Sequence, residues 1–249
     1  MGRLSSLIKI TGTLDDLSFY KTKDGHMVRM KGGVSGTRIK NDPAFARTRE
    51  NMQEFAEMNQ AGKWIRTSLR SISSNGSDGR AVSRLVKQLA QVLKTDTTNL
   101  RGFRKVGVGL STVEGKAILN GFNFNNESVL SQVLKSNYQV DTATGNVSIS
   151  DFIPQQDLEF PTAATHCSIE SGWSEIDFAT GAINSSISPT VSFLLDLTTS
   201  NVVLSPAQPP TGTGILFIAL KVSFLQKING QLYPLNNGSL NAIELVSVS

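Results

Sequence analysis

The hydrophobic period of this 249-residue chain changes near residue 105, and the change limits the fold classes open to it. Between residues 42 and 94 apolar residues recur at helical spacing. Phe45, Met52, Phe55, Ala56, Ile65 and Leu69 mark one stripe, with Trp64 at its edge, and Val82, Leu85, Val86, Leu89, Val92 and Leu93 mark a second. Asn41-Asp42-Pro43 reads as a helix start, with Asp42 as N-cap and Pro43 at the first helical position. Ser71 to Gly79 is the break between two helices, and Asp78 can cap the second. Gly62 weakens a helix by about 1 kcal/mol relative to Ala, which points to a close packing contact. Beyond residue 105 the pattern turns to short strands: Ala117 to Phe124, Val147 to Ile153, His166 to Glu170, Trp173 to Phe178, Thr190 to Leu197, Ile215 to Leu225 and Ala242 to Val248. Gly, Pro and Asn turns separate them, which predicts an antiparallel β-sandwich, Ig-like or jelly-roll-like. Val191, Phe193, Leu195 and Leu197 share one strand face, and so do Ile215, Phe217 and Ala219.

Residues 1–40 read as an extended β arm. Asp24-Gly25 lies between strand-like runs Leu17 to Lys23 and His26 to Lys31, and a tight primed turn needs positive φ at its centre. Phe19, Lys21 and Lys23 alternate with Ser18, Tyr20 and Thr22, and Val28 and Met30 face opposite Met27, Arg29 and Lys31. An isolated hairpin is only marginally stable in water, so this one must pack on its own domain or on a neighbour. The expected class is α+β, in three parts: the arm at 1–40, a basic helical hairpin at 41–105 and an acidic β-sandwich at 106–249. Two similar turns, Asp141-Thr142-Ala143-Thr144-Gly145 and Asp177-Phe178-Ala179-Thr180-Gly181, place Asp first and Gly in a left-handed position.

Charge follows the same division. Residues 1–105 carry twenty Lys and Arg against nine acids, a formal +11, while residues 106–249 carry four against eleven, a formal −7. Such asymmetry speaks to partners: nucleic acid, an acidic surface, or the negative half of another copy. The cations Arg38, Lys40, Arg47, Arg49, Lys63, Arg66, Arg70, Arg84, Arg101 and Arg104 form a candidate basic face, with Arg80, Lys87, Lys94 and Lys105 beside them. Phe19, Tyr20 and Trp64 could stack on bases. Against this, Glu50, Glu54 and Glu57 are interleaved at helical spacing, with Glu50 and Glu54 as local partners for Arg47 and the next turn.

Motifs for catalysis are missing. The only histidines are His26 and His166, and His166 adjoins Cys167, so on a strand their side chains point to opposite faces. Three His and Cys in all are too few for a four-ligand zinc site. There is no Gly-x-Ser-x-Gly elbow, Gly107-Val108-Gly109 lacks a third glycine, and Gly32-Gly33-Val34-Ser35-Gly36 lacks the Lys-Ser or Lys-Thr of a phosphate loop. Glu175 and Asp177 share a strand face, where calcium binding or acid/base work competes with a plain solvated face. No catalytic residue, metal or cofactor is expected. One cysteine excludes an internal disulfide, and the start lacks an apolar run long enough for a signal peptide, so a protein made in the cytoplasm is expected, without a membrane span.

The words Thr11-Gly12-Thr13-Leu14-Asp15-Asp16-Leu17-Ser18-Phe19-Tyr20-Lys21, Val28-Arg29, Lys31-Gly32-Gly33-Val34-Ser35 and Asp42-Pro43-Ala44-Phe45-Ala46-Arg47-Thr48-Arg49-Glu50-Asn51, with Glu54-Phe55, resemble those of a group of uncharacterised proteins from Bacteroidota and their phages. The resemblance covers the first third to half of the chain and implies a bacterial or phage setting without a known activity. The expectation is a non-enzymatic structural subunit that self-assembles into a tube, filament or particle shell. Phe19, Tyr20, Lys21, Asp24, Gly25, Val28 and Arg29 would form the assembly arm, adding strands to a neighbour's sheet, with basic surface against acidic. The alternative is a nucleic-acid-binding or packaging accessory using the basic half. A carbohydrate- or surface-binding β domain would rest on the sandwich alone.

Overall fold

Residues Ile215–Ile228 form an almost unbroken apolar run because both faces of that strand are covered, and residues 50–249 are layered around it. The computed structural model describes residues 2–4, 9–30, 32–74, 76–235 and 240–249. Lys31, the expected end of the hairpin, and Asn75, in the expected interhelical break, lie outside the described residues. The chain is α+β and divides into two compact units, Met1–Arg49 and Glu50–Ser249.

The first unit contains β1 (Gly2–Arg3), β2 (Gly12–Leu14), β3 (Leu17–Thr22) and β4 (Gly25–Met30), followed by helix α1 (Gly36–Asn41). The expected hairpin is there, but as the middle of a four-stranded antiparallel sheet in the order β1-β4-β3-β2. Backbone pairing on both sides supplies partners that two strands alone would leave to water. The turn also differs from the expected one. Thr22 pairs with Gly25, so Lys23 and Asp24 are the loop, and only Gly25 takes positive φ, at 115°. The glycine therefore sits at the first position of the returning strand, where it takes a positive φ without the penalty a Cβ would bring.

Helix α2 (Ala46–Ser68) spans the boundary between the units, and α3 (Arg70–Ser73), α4 (Ala81–Val92), α5 (Val106–Leu110), α6 (Val113–Leu119) and α7 (Leu130–Val133) follow in the second. Ala117 to Phe124 is thus not a strand. The Thr112 hydroxyl accepts from the Gly115 amide at 3.0 Å and caps α6, and Leu119 buries its side chain at the far end. Ahead of α2, Asp42 accepts from the Ala44 amide at 2.9 Å and Pro43 opens a short 3-10 turn, as the cap motif predicts. The outer half of α2 departs from expectation: Met52 and Phe55 are 58% and 57% exposed, while Ala61, Gly62, Ile65 and Leu69 are buried. A Cβ on Gly62 would lie 3.3 Å from Leu89 Cδ1, which is the close contact its presence implied. On α4 the buried face is Ala81, Leu85, Leu89 and Val92, whereas Val82 is exposed.

Strands β5 (Gln139–Asp141), β6 (Asn146–Phe152) with α8 (Pro154–Asp157) after it, β7 (His166–Ile176), β8 (Ile183–Ile187), β9 (Val191–Leu194), β10 (Ser200–Leu204), β11 (Ile215–Ile228), β12 (Gln231–Pro234) and β13 (Ala242–Val248) complete the chain. They make two antiparallel sheets, a six-stranded one centred on β7 and β11 and a three-stranded one ordered β10-β6-β5. Leu216, Ile218, Leu220, Val222 and Phe224 of β11 point to the small sheet and meet Val147, Ile149, Val202 and Leu204. Phe217 and Ala219 point the other way, to Ile65, Leu69, Leu85 and Leu89 of the helices. Each fully buried Leu or Ile is worth roughly 1.5–3 kcal/mol, so both faces of β11 are strongly favoured. Because helices and strands share this core, the boundary expected at residue 105 falls inside the second unit.

Two runs read as separate strands, His166 to Glu170 and Trp173 to Phe178, are one strand, β7. Gly172 between them marks a close approach instead of a turn, since a Cβ there would lie 3.2 Å from Ile187 Cγ2. Glu175, expected on a solvated face, is buried and accepts from the Gly212 and Gly214 amides at 2.9 and 2.7 Å. The two Asp-to-Gly turns are matched in detail. Asp141 and Asp177 each accept from the amide two residues on and from the Thr hydroxyl three residues on, the latter at 2.6 Å in both. Gly145 and Gly181 have φ of 75° and 77°. Each lies under a tryptophan, Trp173 for Gly145 and Trp64 for Gly181.

A Cβ at Gly145 would meet Trp173 Cδ1 at 2.7 Å, whereas one at Gly121, also of positive φ, meets nothing within 4 Å. Gly145→Ala is expected to cost about 2–4 kcal/mol in urea unfolding, the left-handed penalty plus overpacking, and Gly121→Ala only about 1–2. Equal losses would mean that the tryptophan gives way freely.

Candidate functional site

The expected basic face separates, residue by residue, into cations engaged within the chain and cations left at the surface. In the second unit, α2 turns Glu50, Glu54 and Glu57 toward the segment after α4. Glu50 Oε2 lies 3.6 Å from Arg101 Nε, Glu54 Oε1 3.9 Å from Arg104 Nε, and Glu57 Oε2 3.0 Å from Lys105 Nζ. Arg101 also donates to Asn51 Oδ1 at 2.9 Å, and Glu54 accepts from the Gly102 amide at 2.9 Å. These acids therefore pair across the fold, with the segment after α4. Arg84 donates to both Asp78 oxygens at 2.7 and 2.8 Å and to the Asn123 carbonyl, with its guanidinium over the Phe122 ring. Arg66 donates back to the Gly62 carbonyl at 3.1 Å. Lys63 and Arg70 are exposed, as are Arg80, Lys87 and Lys94.

The first unit is arranged differently. Arg38 pairs with Asp42 at 3.0 Å and lies over the Phe45 ring. Arg49 donates to the Ile39 carbonyl in the last turn of α1 at 2.8 Å and to the Asp42 carbonyl, which also takes the Phe45 amide, at 2.9 Å. Lys40 is exposed, and Arg47 combines an exposed side chain with an interaction inside the chain. The seven arm residues all lie on or between β3 and β4. Phe19 pairs with Val28, Tyr20 with Met27 and Lys21 with His26, Arg29 stacks over the Tyr20 ring, and Asp24 and Gly25 make the turn. Leu14, Leu17 and Met30 line up in one cross-strand row, 64%, 40% and 75% exposed, with Phe19 and Val28 behind them. No described residue of this unit is buried. It carries ten Lys and Arg against four Asp, a formal +6.

A cleft of about 520 Å³ in the second unit lies among Glu57, Trp64, Lys105, Asp177 and Phe178. Its charged groups are engaged. Glu57 takes Lys105, and Asp177 takes the Ala179 amide and Thr180 hydroxyl. The aromatic wall is packed, with Phe178 edge-on to both Trp64 and Phe217. Cys167 is fully buried and burial pushes its thiol up to about 12, so it is protonated near neutrality and a poor nucleophile. Among the described residues no group of three or more His, Cys, Asp and Glu is placed to hold a metal, and no helix is long and apolar enough to cross a membrane.

The residue that sequence reasoning missed is Asp96. It is buried and accepts from the Thr98 amide and hydroxyl, both Asn99 nitrogens and the Lys105 amide, at 2.8–3.1 Å. It organises the segment whose cations meet α2. Its only signal was Asp-Thr-Thr-Asn, a common turn composition. Burial alone would raise the Asp96 carboxyl, but the bonds from Asn99, Lys105 and Thr98 outweigh it and hold it well below the usual range. Burial likewise opposes the bonds from Arg84, Asn126 and Arg80 to Asp78, which bring that carboxyl down to about 2.

A carboxyl held below its unfolded value stabilises the fold above pH of about 4 and loses that contribution as pH falls through its folded pKa. Stability should therefore drop between pH 4 and 2, with Asp78 alone contributing on the order of 2 kcal/mol. Asp78→Asn should flatten that part of a urea-midpoint profile against pH. An unchanged profile would show that the Arg84 pairing is not formed in solution.

No protein-family model matches this chain, and no curated protein or solved structure matches it.

Proposed function

We propose that this chain is a non-enzymatic structural subunit that self-assembles into a tube, filament or particle shell, its amino-terminal sheet completing a neighbouring copy. The observation that carries the reading is the exposed apolar row Leu14, Leu17 and Met30 on a sheet with no buried side chain. Ordering each residue costs about 1–2 kcal/mol of backbone entropy, which this unit does not recover by burial among its own residues. A neighbour that covers it would supply the missing term. The Asp96 turn and the three acid–base pairs support the same reading, because a subunit must present a fixed surface to the next one.

Nucleic-acid binding is the weaker reading. Arg38, Arg84, Arg101, Arg104 and Lys105 face carboxylates, and Arg49 caps a helix. A protein that contacted about six phosphates would lose affinity with a log–log salt slope near −5. A low-salt gel shift with mixed-sequence DNA and RNA is expected to show no retarded band. A band with that steep slope would favour the packaging role instead.

Size-exclusion chromatography with light scattering, followed by electron microscopy, tests assembly directly. The full chain is expected to elute as a multimer, and a chain lacking residues 1–34 as a folded monomer. A monomeric full-length protein at high micromolar concentration would end this reading.

A further inference from the structure

If copies assemble through the amino-terminal sheet, some sheet edge must receive it, and the geometry points to one. We propose that β10 is the acceptor: the outer edge of β10 in one copy pairs with β2 of another. The inference rests on the self-assembly reading and names its contact.

Most edges in the second unit are closed or blunted. The outer side of β13 is taken by the segment 121–124, through the Gly121 and Phe124 amides to Leu245 and Ile243 and the Leu245 amide to Phe122. Ala207 and Gln208 cross the end of β8, donating to the Ile187 carbonyl and the Ser186 hydroxyl. The four-residue β12 ends in Pro234, which has no N–H to offer. Only three residues form β5, and four form β9. At five residues, β10 pairs with β6 on one side and has no other strand partner among the described residues.

Charge selects the same place. Residues 136–220 contain eight Asp and Glu and no Lys or Arg, and the whole three-stranded sheet lies within them. Asp151 donates its amide to the Asn201 side chain and so sits at the start of β10. The donor sheet belongs to a unit of formal charge +6. Two such units repel each other, while a cation-free edge attracts them. The apolar surfaces match as well. Val202 and Leu204 face the core, so Val203 points outward, 60% exposed. Pairing β2 against β10 can place Leu14 beside Val203 and continue the row Leu14, Leu17, Met30 across the junction. On β2, Gly12 to Leu14 are all exposed.

The test uses full-length chains in two batches, one carrying Leu14→Cys and the other Val203→Cys. The native Cys167 is fully buried and does not compete. Mixed, assembled and treated with a short bis-maleimide, the two batches should give a covalent dimer that neither batch gives alone. A Leu232→Cys batch, placing the thiol on β12, should give none with Leu14→Cys. Separately, Val203→Lys puts a like charge where the basic sheet would dock, at a site the core does not need. It should raise the concentration required for assembly by at least about tenfold without moving the melting temperature. Assemblies of normal size with no Leu14–Val203 product, or Val203→Lys assembling like the unaltered chain, would overturn β10 as the acceptor while leaving self-assembly intact. Unaltered chains that never associate would overturn both.

Discussion

Burial of both faces of β11 is the constraint from which the second unit follows. A strand with one wet face can alternate apolar and polar residues, but β11 offers Leu216, Ile218, Leu220, Val222 and Phe224 to one side and Phe217 and Ala219 to the other. Two covers are then required, and the chain provides helices for one face and the three-stranded sheet for the other. Where the helical cover gives out, the strand becomes polar in a controlled way. Lys221 pairs with Glu170 at 2.8 Å across β7 and reaches toward the Ser74 carbonyl, and Glu170 also takes the Thr190 hydroxyl. Removing one partner of so buried a pair would cost about 3–5 kcal/mol, more than the pair itself contributes, so the arrangement fixes register more than it adds stability.

The charge asymmetry of the sequence has a different meaning once geometry is known. Part of the positive charge between residues 50 and 105 is paired within the fold, because Glu50, Glu54 and Glu57 on α2 meet Arg101, Arg104 and Lys105. Surface ion pairs are worth about 0–1 kcal/mol each. Their effect here is positional: with the Asp96 hub they hold the segment 97–105 against α2, while Leu100 and Phe103 remain exposed. Lys63, Arg70, Arg80, Lys87 and Lys94 of the same stretch stay exposed, and the first unit carries a formal +6 of its own.

The fold was legible where local chemistry and burial agree. Asp42-Pro43 starts the turn before α2, Gly62 marks a helix contact, and the two Asp-to-Gly turns have the expected shape, because each depends on residues adjacent in sequence. Misreadings came where a distant partner decides. Met52 and Phe55 look like core at helical spacing, but the acids beside them face the segment that needs neutralising. Gly172 looks like a strand break until β8 approaches it. One local signal was overlooked: Asn229-Gly230, with φ of 50° and 85°, is the primed turn that joins β11 to β12. The candidate arm was legible as a hairpin, but β1 and β2 were not, since two- and three-residue strands leave no periodicity to read.

The first unit shows what a sequence cannot supply alone. Its seventeen strand residues pair with one another in three ladders, yet none buries a side chain. Sheets of this size are held by a covered apolar face. In the proposed assembly another copy extends this sheet at its β2 edge and lengthens its apolar row, and the +6 charge then acts as a selector. Two such sheets meeting face to face would bury apolar area but bring like charges together, which penalises the symmetric dimer. A sheet meeting an edge that carries no cation avoids that cost. The contact proposed here is head-to-tail, made from two different surfaces of the same chain. Contacts of that type close into rings or continue as helical filaments, according to the rotation between successive copies.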